Sequence, residues 1–422
     1  MVTLFFAIGT PQSRMQGDAT QGDGTGSMST QGAKPPRRQI GDGGPRQRRR
    51  SDTPSAVPAS GSDRSGGISR RAALGLAGAA AASGLAAPAL AQTTIEWKMA
   101  TAWPADLEGP GRSAQRICDA IALLSGGRMR VRLFPDGELV AAPGIFDTVS
   151  AGTAQMGHAA SAYWQAKMPA AVFFTAVPFG LLPHEHVTWL EQAGGQALWD
   201  KLYAPYGVRP FLAGNTGAQM GGWFTRPVET LDDLNGLKIR MPGLGGEIMR
   251  RLGATPVSLP PAELVQALAS GLIDAAEFLG PASDRALGFS SATKLYYAPG
   301  FHDPNGANEV LVNSVAFDGL ADDLKAVVIA ACRAETLQSM AGSDWRNAEA
   351  FHALQTEDGV EVRAYSPEIL SALRETSMQV VASFADAGGL DREIYQSYSQ
   401  TLQRLAPWSS ASTRLFLEGR EA

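Results

Sequence analysis

The 422-residue chain is too long for one ordinary core and implies two domains with a tail, and its 44% hydrophobic and 18% charged residues exclude a wholly unfolded polymer. The net charge of −5 is unevenly spread: residues 1–91 carry 11 basic and 5 acidic side chains, which leaves 25 basic against 36 acidic from Gln92 onward, a balance of −11. That balance excludes non-specific nucleic-acid binding, which needs basic patches. Two cysteines, Cys118 and Cys332, without a C-x-x-C spacing exclude zinc-ribbon and thioredoxin-like chemistry.

Residues 1–68 are rich in Gly, Ser, Gln, Pro and Arg and show no periodicity, so they read as a disordered leader. At Ser69-Arg70-Arg71 the text changes. An uncharged run, Ala72–Ala87, follows and ends at Ala89-Leu90-Ala91, with small residues at the −1 and −3 positions. A charged start, a weakly apolar middle and an A-x-A site make residues 69–91 a cleavable export signal, and the paired arginines make it the twin-arginine type. The mature chain then starts near Gln92 and works in the periplasm. Export would permit a Cys118–Cys332 disulfide, although both fall in helix-like segments distant in sequence.

From Thr94 strands and helices alternate, the mark of an α/β fold. Thr94–Met99 alternates as a strand. Gly109–Leu124 has helical spacing and stops at Gly126-Gly127. Met129–Phe134 is a strand before the turn Pro135-Asp136-Gly137. Ala142–Ala151 is helical and Ala154–Ala159 returns as a strand. The same grammar recurs from Leu231: a short helix, strand Leu237–Met241, helix Gly245–Leu252, strand Thr255–Ser258, a helix opened by Pro260-Pro261, and strand Ile273–Glu277. Phe146–Gln155 aligns with Val265–Asp274 as helix, glycine stop and strand, as two similar lobes would require. Asp322–Leu354, Pro367–Ala387 and Leu390–Leu405 are long helices that brace the lobes or pair with another subunit.

Catalytic signatures are missing. His184-Glu185-His186 lacks the spacing of a helical zinc motif and reads as a surface loop after Pro183. No G-x-S-x-G elbow or phosphate-binding G-x-x-x-x-G-K-[ST] occurs. Gly243-Leu244-Gly245-Gly246 lacks the third glycine of a dinucleotide fingerprint, Ile248 standing in its place. An exported α/β chain of this kind is expected to bind rather than to react.

Residues 219–281 carry a long ordered string: Gln219-Met220-Gly221-Gly222-Trp223, the run Gly236-Leu237-Lys238-Ile239-Arg240-Met241-Pro242, then Leu252-Gly253-Ala254-Thr255-Pro256-Val257, and Ala267-Leu268-Ala269-Ser270-Gly271-Leu272-Ile273-Asp274-Ala275-Ala276-Glu277. It resembles the solute-binding subunit of tripartite ATP-independent periplasmic (TRAP) transporters, closest to the branch that binds 2-oxo acids such as pyruvate together with a metal ion. The resemblance implies a two-lobed periplasmic binding protein fold with hinge strands, a long spanning helix and a helical C-terminal tail. On that scheme 92–217 with 306–345 form lobe I, 218–305 form lobe II, and 346–422 are C-terminal helices.

By resemblance Arg240 grips the ligand carboxylate, for which a guanidinium fork is suited. Gln219, Glu277 and the backbone carbonyl of Phe278 match the branch's metal ligands, oxygen donors for a hard cation, with sodium first and calcium as the alternative. Asp303 matches an acidic hydrogen-bond partner, and Tyr163 and Asn215 reach the cleft from the other lobe. The chain departs from the branch at Phe278, where Trp is usual, at Ala282, where a bulky aromatic is usual, and at Asp303, where Glu is usual. Smaller residues at the last two imply a monocarboxylic 2-oxo or 2-hydroxy acid somewhat larger than pyruvate. The resemblance further implies delivery to membrane subunits and a homodimer that exchanges its C-terminal helix. The rival reading is an exported metal-dependent enzyme acting on 2-oxo acids, with His302 or Asp303 as acid or base.

Overall fold

The computed structural model describes residues 94–422; the expected leader (1–68) and export signal (69–91) lie outside the described residues. In chain order come β1 (Ile95–Thr101), α1 (Pro110–Leu124), β2 (Met129–Phe134), α2 (Ile145–Ser150), β3 (Met156–Ala159), α3 (Pro183–Gln192), α4 (Gly195–Tyr203) and β4 (Val208–Asn215). After a crossover follow β5 (Gly222–Phe224), β6 (Lys238–Arg240), α5 (Gly243–Arg251), β7 (Thr255–Val257), α6 (Leu264–Ala269), β8 (Ala275–Ala276), α7 (Pro281–Leu287) and β9 (Leu295–Ala298). The chain then returns as β10 (Ala307–Asn313) and α8 (Ser314–Asp318). The last elements are α9 (Asp322–Thr356), β11 (Glu361–Ala364), α10 (Pro367–Ala382), α11 (Gly389–Ser409) and α12 (Leu415–Glu421).

Two sheets result, one ordered β2-β1-β3-β10-β4 and the other β11-β9-β5-β8-β6-β7. In the first, β1 runs parallel to β2 and β3, whereas β10 is antiparallel to β3 and β4. In the second, β6 is parallel to β7 and β8, and β5 is antiparallel to β8 and β9. The two aligned sequence segments take equivalent places. Helix α2, Gly152 (φ 73°) and β3 match helix α6, Gly271 (φ 72°) and β8. Each glycine adopts the left-handed backbone that ends a helix and that L side chains resist.

Each sheet is covered on both faces. Ala114, Ile117 and Ile121 of α1 share one core with Leu324, Val328 and Ala331 of α9. That packing explains the 3–4 spacing read from both segments. Cys118 and Cys332 lie in the same core as free, buried thiols. Helix α9 has 35 residues, roughly 52 Å of helix at 1.5 Å per residue. Thr336 Oγ1 donates to Leu212 O (3.1 Å), Ser339 Oγ accepts from Asn215 N (2.9 Å), and Ser343 Oγ donates to Asn215 O (3.1 Å). Farther along, Asn347 Oδ1 accepts from Ala282 N on α7 (3.1 Å). The helix is therefore bonded to elements beside both sheets. No helix among the described residues is long and apolar enough to cross a membrane.

One expectation needs correction. His184-Glu185-His186 is not a surface loop but the first turn of α3, with His186 buried. Pro183 sits at the first helical position and Glu185 Oε2 accepts from Leu182 N (2.9 Å), which together start the helix. Within the mostly helical tail, Glu361–Ala364 adds an edge strand parallel to β9.

Each half of the molecule buries one acid against an indole and a phenol. Asp284 Oδ2 accepts from Trp223 Nε1 (2.9 Å) and Tyr296 OH (2.7 Å). Glu309, fully buried on β10, accepts from Trp164 Nε1 (2.5 Å) and Tyr203 OH (3.0 Å) and has no cationic partner among the described residues. Burial pushes the Glu309 carboxyl up to about 8, against the opposing bonds from Trp164 and Tyr203. A raised acid contributes fully to stability below its unfolded value of 4.5, and that contribution is lost as pH rises through about 8. Glu309→Gln, uncharged throughout, is expected to exceed the parent in stability at pH 9 by on the order of 1–3 kcal/mol. The advantage should shrink or vanish at pH 5. Urea unfolding at both pH values reads the difference; an equal effect at both would contradict a neutral Glu309.

Candidate functional site

The chain passes from the first sheet to the second through residues 216–221 and back through 299–306. These two crossovers run side by side. Thr216 N donates to Gly306 O (3.0 Å), Gln219 N to Asp303 O (3.0 Å), and Gly221 N to Tyr297 O (2.7 Å). Their close approach needs glycine at position 300, because a Cβ there would lie 2.2 Å from Gln219 O. Asn215 ties the crossovers at the first sheet. Its Nδ2 donates to Asn305 Oδ1 (2.9 Å) and its Oδ1 accepts from Gly217 N (2.8 Å). The structure thus engages both polar ends of Asn215 in protein bonds rather than leaving them to the cleft.

Arg240 ends β6 and Glu277 directly follows β8, two parallel neighbours in the second sheet. Side chains at the carboxyl ends of parallel strands point into the crevice where α/β proteins hold ligands. Glu277 N donates to Arg240 O (2.9 Å), and Arg240 Nη1 donates back to Glu277 O (2.5 Å). The same Nη1 stands 3.5 Å from Glu277 Oε2, with 14% of the arginine and 4% of the glutamate side chain exposed. The guanidinium also faces the Phe278 ring, 5.9 Å from its centroid. One donor of the fork is thus used; the others have no protein acceptor among the described residues.

Gln219 approaches this pair from the first crossover. Its Nε2 donates to Asp303 Oδ2 (2.6 Å), and Asp303 Oδ1 accepts from Gly306 N (2.6 Å) and Asn305 N (3.2 Å). A carboxylate only accepts, so it holds the nitrogen end of the amide and turns Oε1 the other way. Oε1 lies 3.2 Å from His302 Nε2, and the same nitrogen lies 3.4 Å from Glu277 Oε1. Burial pulls the His302 imidazole down, but the charge and hydrogen bond of Glu277, with Asp303, outweigh it and hold the group above its ordinary value. Burial likewise raises the Asp303 carboxyl, against the pull of His302 and the two backbone N–H groups.

The structure gathers Arg240, Glu277, Phe278, Gln219 and Asp303 into one cluster. Tyr163, beyond β3 beside Trp103, is half exposed; partial burial of the ring raises its phenol and the Arg240 guanidinium opposes the rise. Ala282 lines a narrow seam with Gly109, Thr216 and Arg346, and Arg240 borders an open groove of about 500 Å³ with Met241, Pro242 and Pro256. His302 is the cluster member that the sequence named only for the enzyme reading; its place next to Asp303 was the available signal. No group of three or more His, Cys, Asp or Glu arranged for a metal occurs among the described residues. The donors are instead an amide oxygen, one carboxylate and a backbone carbonyl, a set that fits a hard cation of low charge. Gly300→Ala should force the crossovers apart and cost about 1–3 kcal/mol, read as a lower urea midpoint; an unchanged midpoint would mean the contact relaxes freely.

Residues 99–387 match the model for bacterial extracellular solute-binding proteins, family 7. The chain is 37% identical over 315 residues to the monocarboxylate 2-oxoacid-binding periplasmic protein of Nostoc sp., covering 75% of this chain and 86% of that one. It resembles the crystal structure of a TRAP periplasmic solute-binding protein from Pseudoalteromonas atlantica with bound sodium and pyruvate. The TM-score is 0.73 and the identity 33%, over 77% of this chain and 99% of the other. A TRAP solute-binding protein from Bordetella bronchiseptica, a dimer with calcium and picolinate, matches with a TM-score of 0.73 and 32% identity, over 78% and 97% of the two chains.

Proposed function

Because the chain belongs to family 7 of the bacterial extracellular solute-binding proteins, the receptors of TRAP transporters, we propose that it captures a monocarboxylic 2-oxo or 2-hydroxy acid together with sodium or calcium and delivers it to the membrane subunits of its transporter. It is a receptor and not an enzyme, which removes the metal-dependent enzyme reading. Arg70-Arg71 and Ala89-Leu90-Ala91 support export by the twin-arginine route.

The observation that carries this reading is the convergence of the Arg240 guanidinium and the Glu277 carboxylate in one buried spot, with Gln219 Oε1 beside it. The free donors of Arg240 take the ligand carboxylate as a fork. Glu277 would repel that anion in a dry cleft, and a cation between them relieves the conflict. Glu277, Gln219 Oε1 and the Phe278 carbonyl would hold it, and it would neutralise the acid's head group. Ligand and ion favour the closed arrangement because only that state offers both lobes at once. Tyr163 supplies the contact from the first sheet's side. The small Ala282 and the short Asp303 support a ligand with a longer tail than pyruvate. On this reading lobe I is 92–217 with 306–345 and lobe II is 218–305.

The same reading includes a homodimer with exchanged C-terminal helices. The last helices expose Trp408, Leu415 and Phe416, and a groove of about 640 Å³ lined by Phe211, Phe317, Ile329, Leu337 and Met340 lies open on the first sheet's side. Deleting residues 406–422 should convert a dimer into a monomer in sedimentation velocity; a parent that sediments as a monomer would remove this part.

Calorimetry with pyruvate and longer 2-oxo acids tests the whole. Arg240→Ala should abolish measurable binding. Glu277→Gln should lose about 2–5 kcal/mol of affinity in sodium or calcium buffer, with little further loss when those ions are replaced by choline. Retained binding in Arg240→Ala would mean that the carboxylate is held elsewhere.

A further inference from the structure

The geometry points to His302 as a positioning residue that holds the oxygens of Gln219 and Glu277 in place for the cation, an inference that rests on the cation reading above. Nε2 of His302 lies 3.2 Å from Gln219 Oε1 and 3.4 Å from Glu277 Oε1. Both partners are acceptors. An ionised carboxylate carries no proton, and the nitrogen end of the Gln219 amide is committed to Asp303. A ring nitrogen that faces two acceptors must bear the hydrogen. Nδ1 is buried without a partner, and a bare lone pair there costs less than a bare N–H. In the neutral ring the two sides therefore select the same tautomer, hydrogen on Nε2, and a protonated ring carries that same hydrogen toward the two oxygens.

The ring is held where it is. Phe301 meets it edge-on at 5.5 Å. Gly245 on α5 comes so close that a side chain there would sit 2.8 Å from His302 Cβ. Phe179 N donates to Phe301 O (2.8 Å) and Asp303 N to Gly300 O (3.2 Å), which fix the turn on both sides.

This placement has a chemical consequence. Each oxygen offers more than one lone-pair direction, so one can accept from His302 while another remains for an ion. Groups that hydrogen-bond to metal ligands set their orientation, and losing one commonly weakens metal affinity about 10–100-fold. Without the ring, Glu277 is free to swing onto Arg240, already 3.5 Å away, and to spend its charge there. The oxygen end of Gln219 would lose its tether as well. His302 thus keeps Glu277 shared between the guanidinium and the ion, and no contact of its own with the acid is required.

The test uses purified protein, with calcium ion alone and then pyruvate as probes in calorimetry. His302→Leu should bind calcium about 10–100-fold more weakly. The gain in pyruvate affinity on adding calcium should collapse, so that the loss of pyruvate affinity is markedly larger with calcium than in cation-free buffer. His302→Gln, whose amide can again donate to the two oxygens, should recover most of the loss. Calcium affinity equal to the parent in His302→Leu would overturn the inference. So would failure of His302→Gln to rescue, or a pyruvate loss of the same size with and without calcium, since that is what a merely structural residue would produce. Should His302→Leu not fold, His302→Asn, too short to reach both oxygens, takes its place. A parent protein that binds pyruvate with no response to calcium or sodium would sink the cation reading and this inference together, while leaving the Arg240 anchor standing.

Discussion

Arg240 and Glu277 lie side by side at the ends of adjacent strands, and the stronger bond between them runs to the glutamate's backbone rather than to its carboxylate. The buried anion is therefore only partly answered by its neighbour, and the guanidinium keeps donors to spare. Breaking a well-paired buried ion pair costs several kilocalories; a pair held slightly apart can accept another anion on one side and another cation on the other. The carbonyl of Glu277 accepts from Nη1, and His302 Nε2 lies 3.4 Å from the carboxylate oxygen Oε1, the one not turned to Arg240.

Such a balance needs a rigid frame, and the frame is made from the lines along which the chain changes sheets. Strand β4 leaves the first sheet at Asn215, and its exit is fastened to three successive turns of α9 through Thr336, Ser339 and Ser343. The return path carries His302 and Asp303 and is laced to the outgoing path by backbone bonds at Thr216 and Gln219. The two side chains proposed to offer oxygen to a cation, Gln219 and Glu277, come from a crossover and from a strand end. A shift of one lobe against the other is felt where they meet.

Much of this was legible in the sequence where local chemistry decides the outcome. The glycine stops at Gly152 and Gly271 marked two equivalent helix–strand units, because only a left-handed residue ends those helices so abruptly. The apolar spacing of α1 and α9 was readable because each packs one face against a sheet. Family resemblance named Arg240, Glu277, Gln219 and Asp303, and the structure brings these four together. What remained hidden was set by distant partners. His184-Glu185-His186 looked like a polar loop, yet α3 forms there and His186 is buried with Trp189 beside it. Strand β11 is four residues long and exists only because β9 offers it an edge. His302 looked like a reactive group, and its setting among two oxygens became visible only when both crossovers were in place. The bonds of Asn215 to Asn305 and Gly217 and of the Ala282 backbone N–H to Asn347 were not readable either, because their partners are distant in sequence or set by the turn.

The last turn of helix α10 joins the two halves of the molecule. Val380 is buried in the core of the second sheet, together with Ile239 and Leu373, whereas its immediate neighbour Val381 is buried in the core of the first, together with Phe146 and Ile394. Two consecutive residues cannot travel far from one another. Whatever movement the two lobes make, their cores therefore stay tethered to each other at this point of α10.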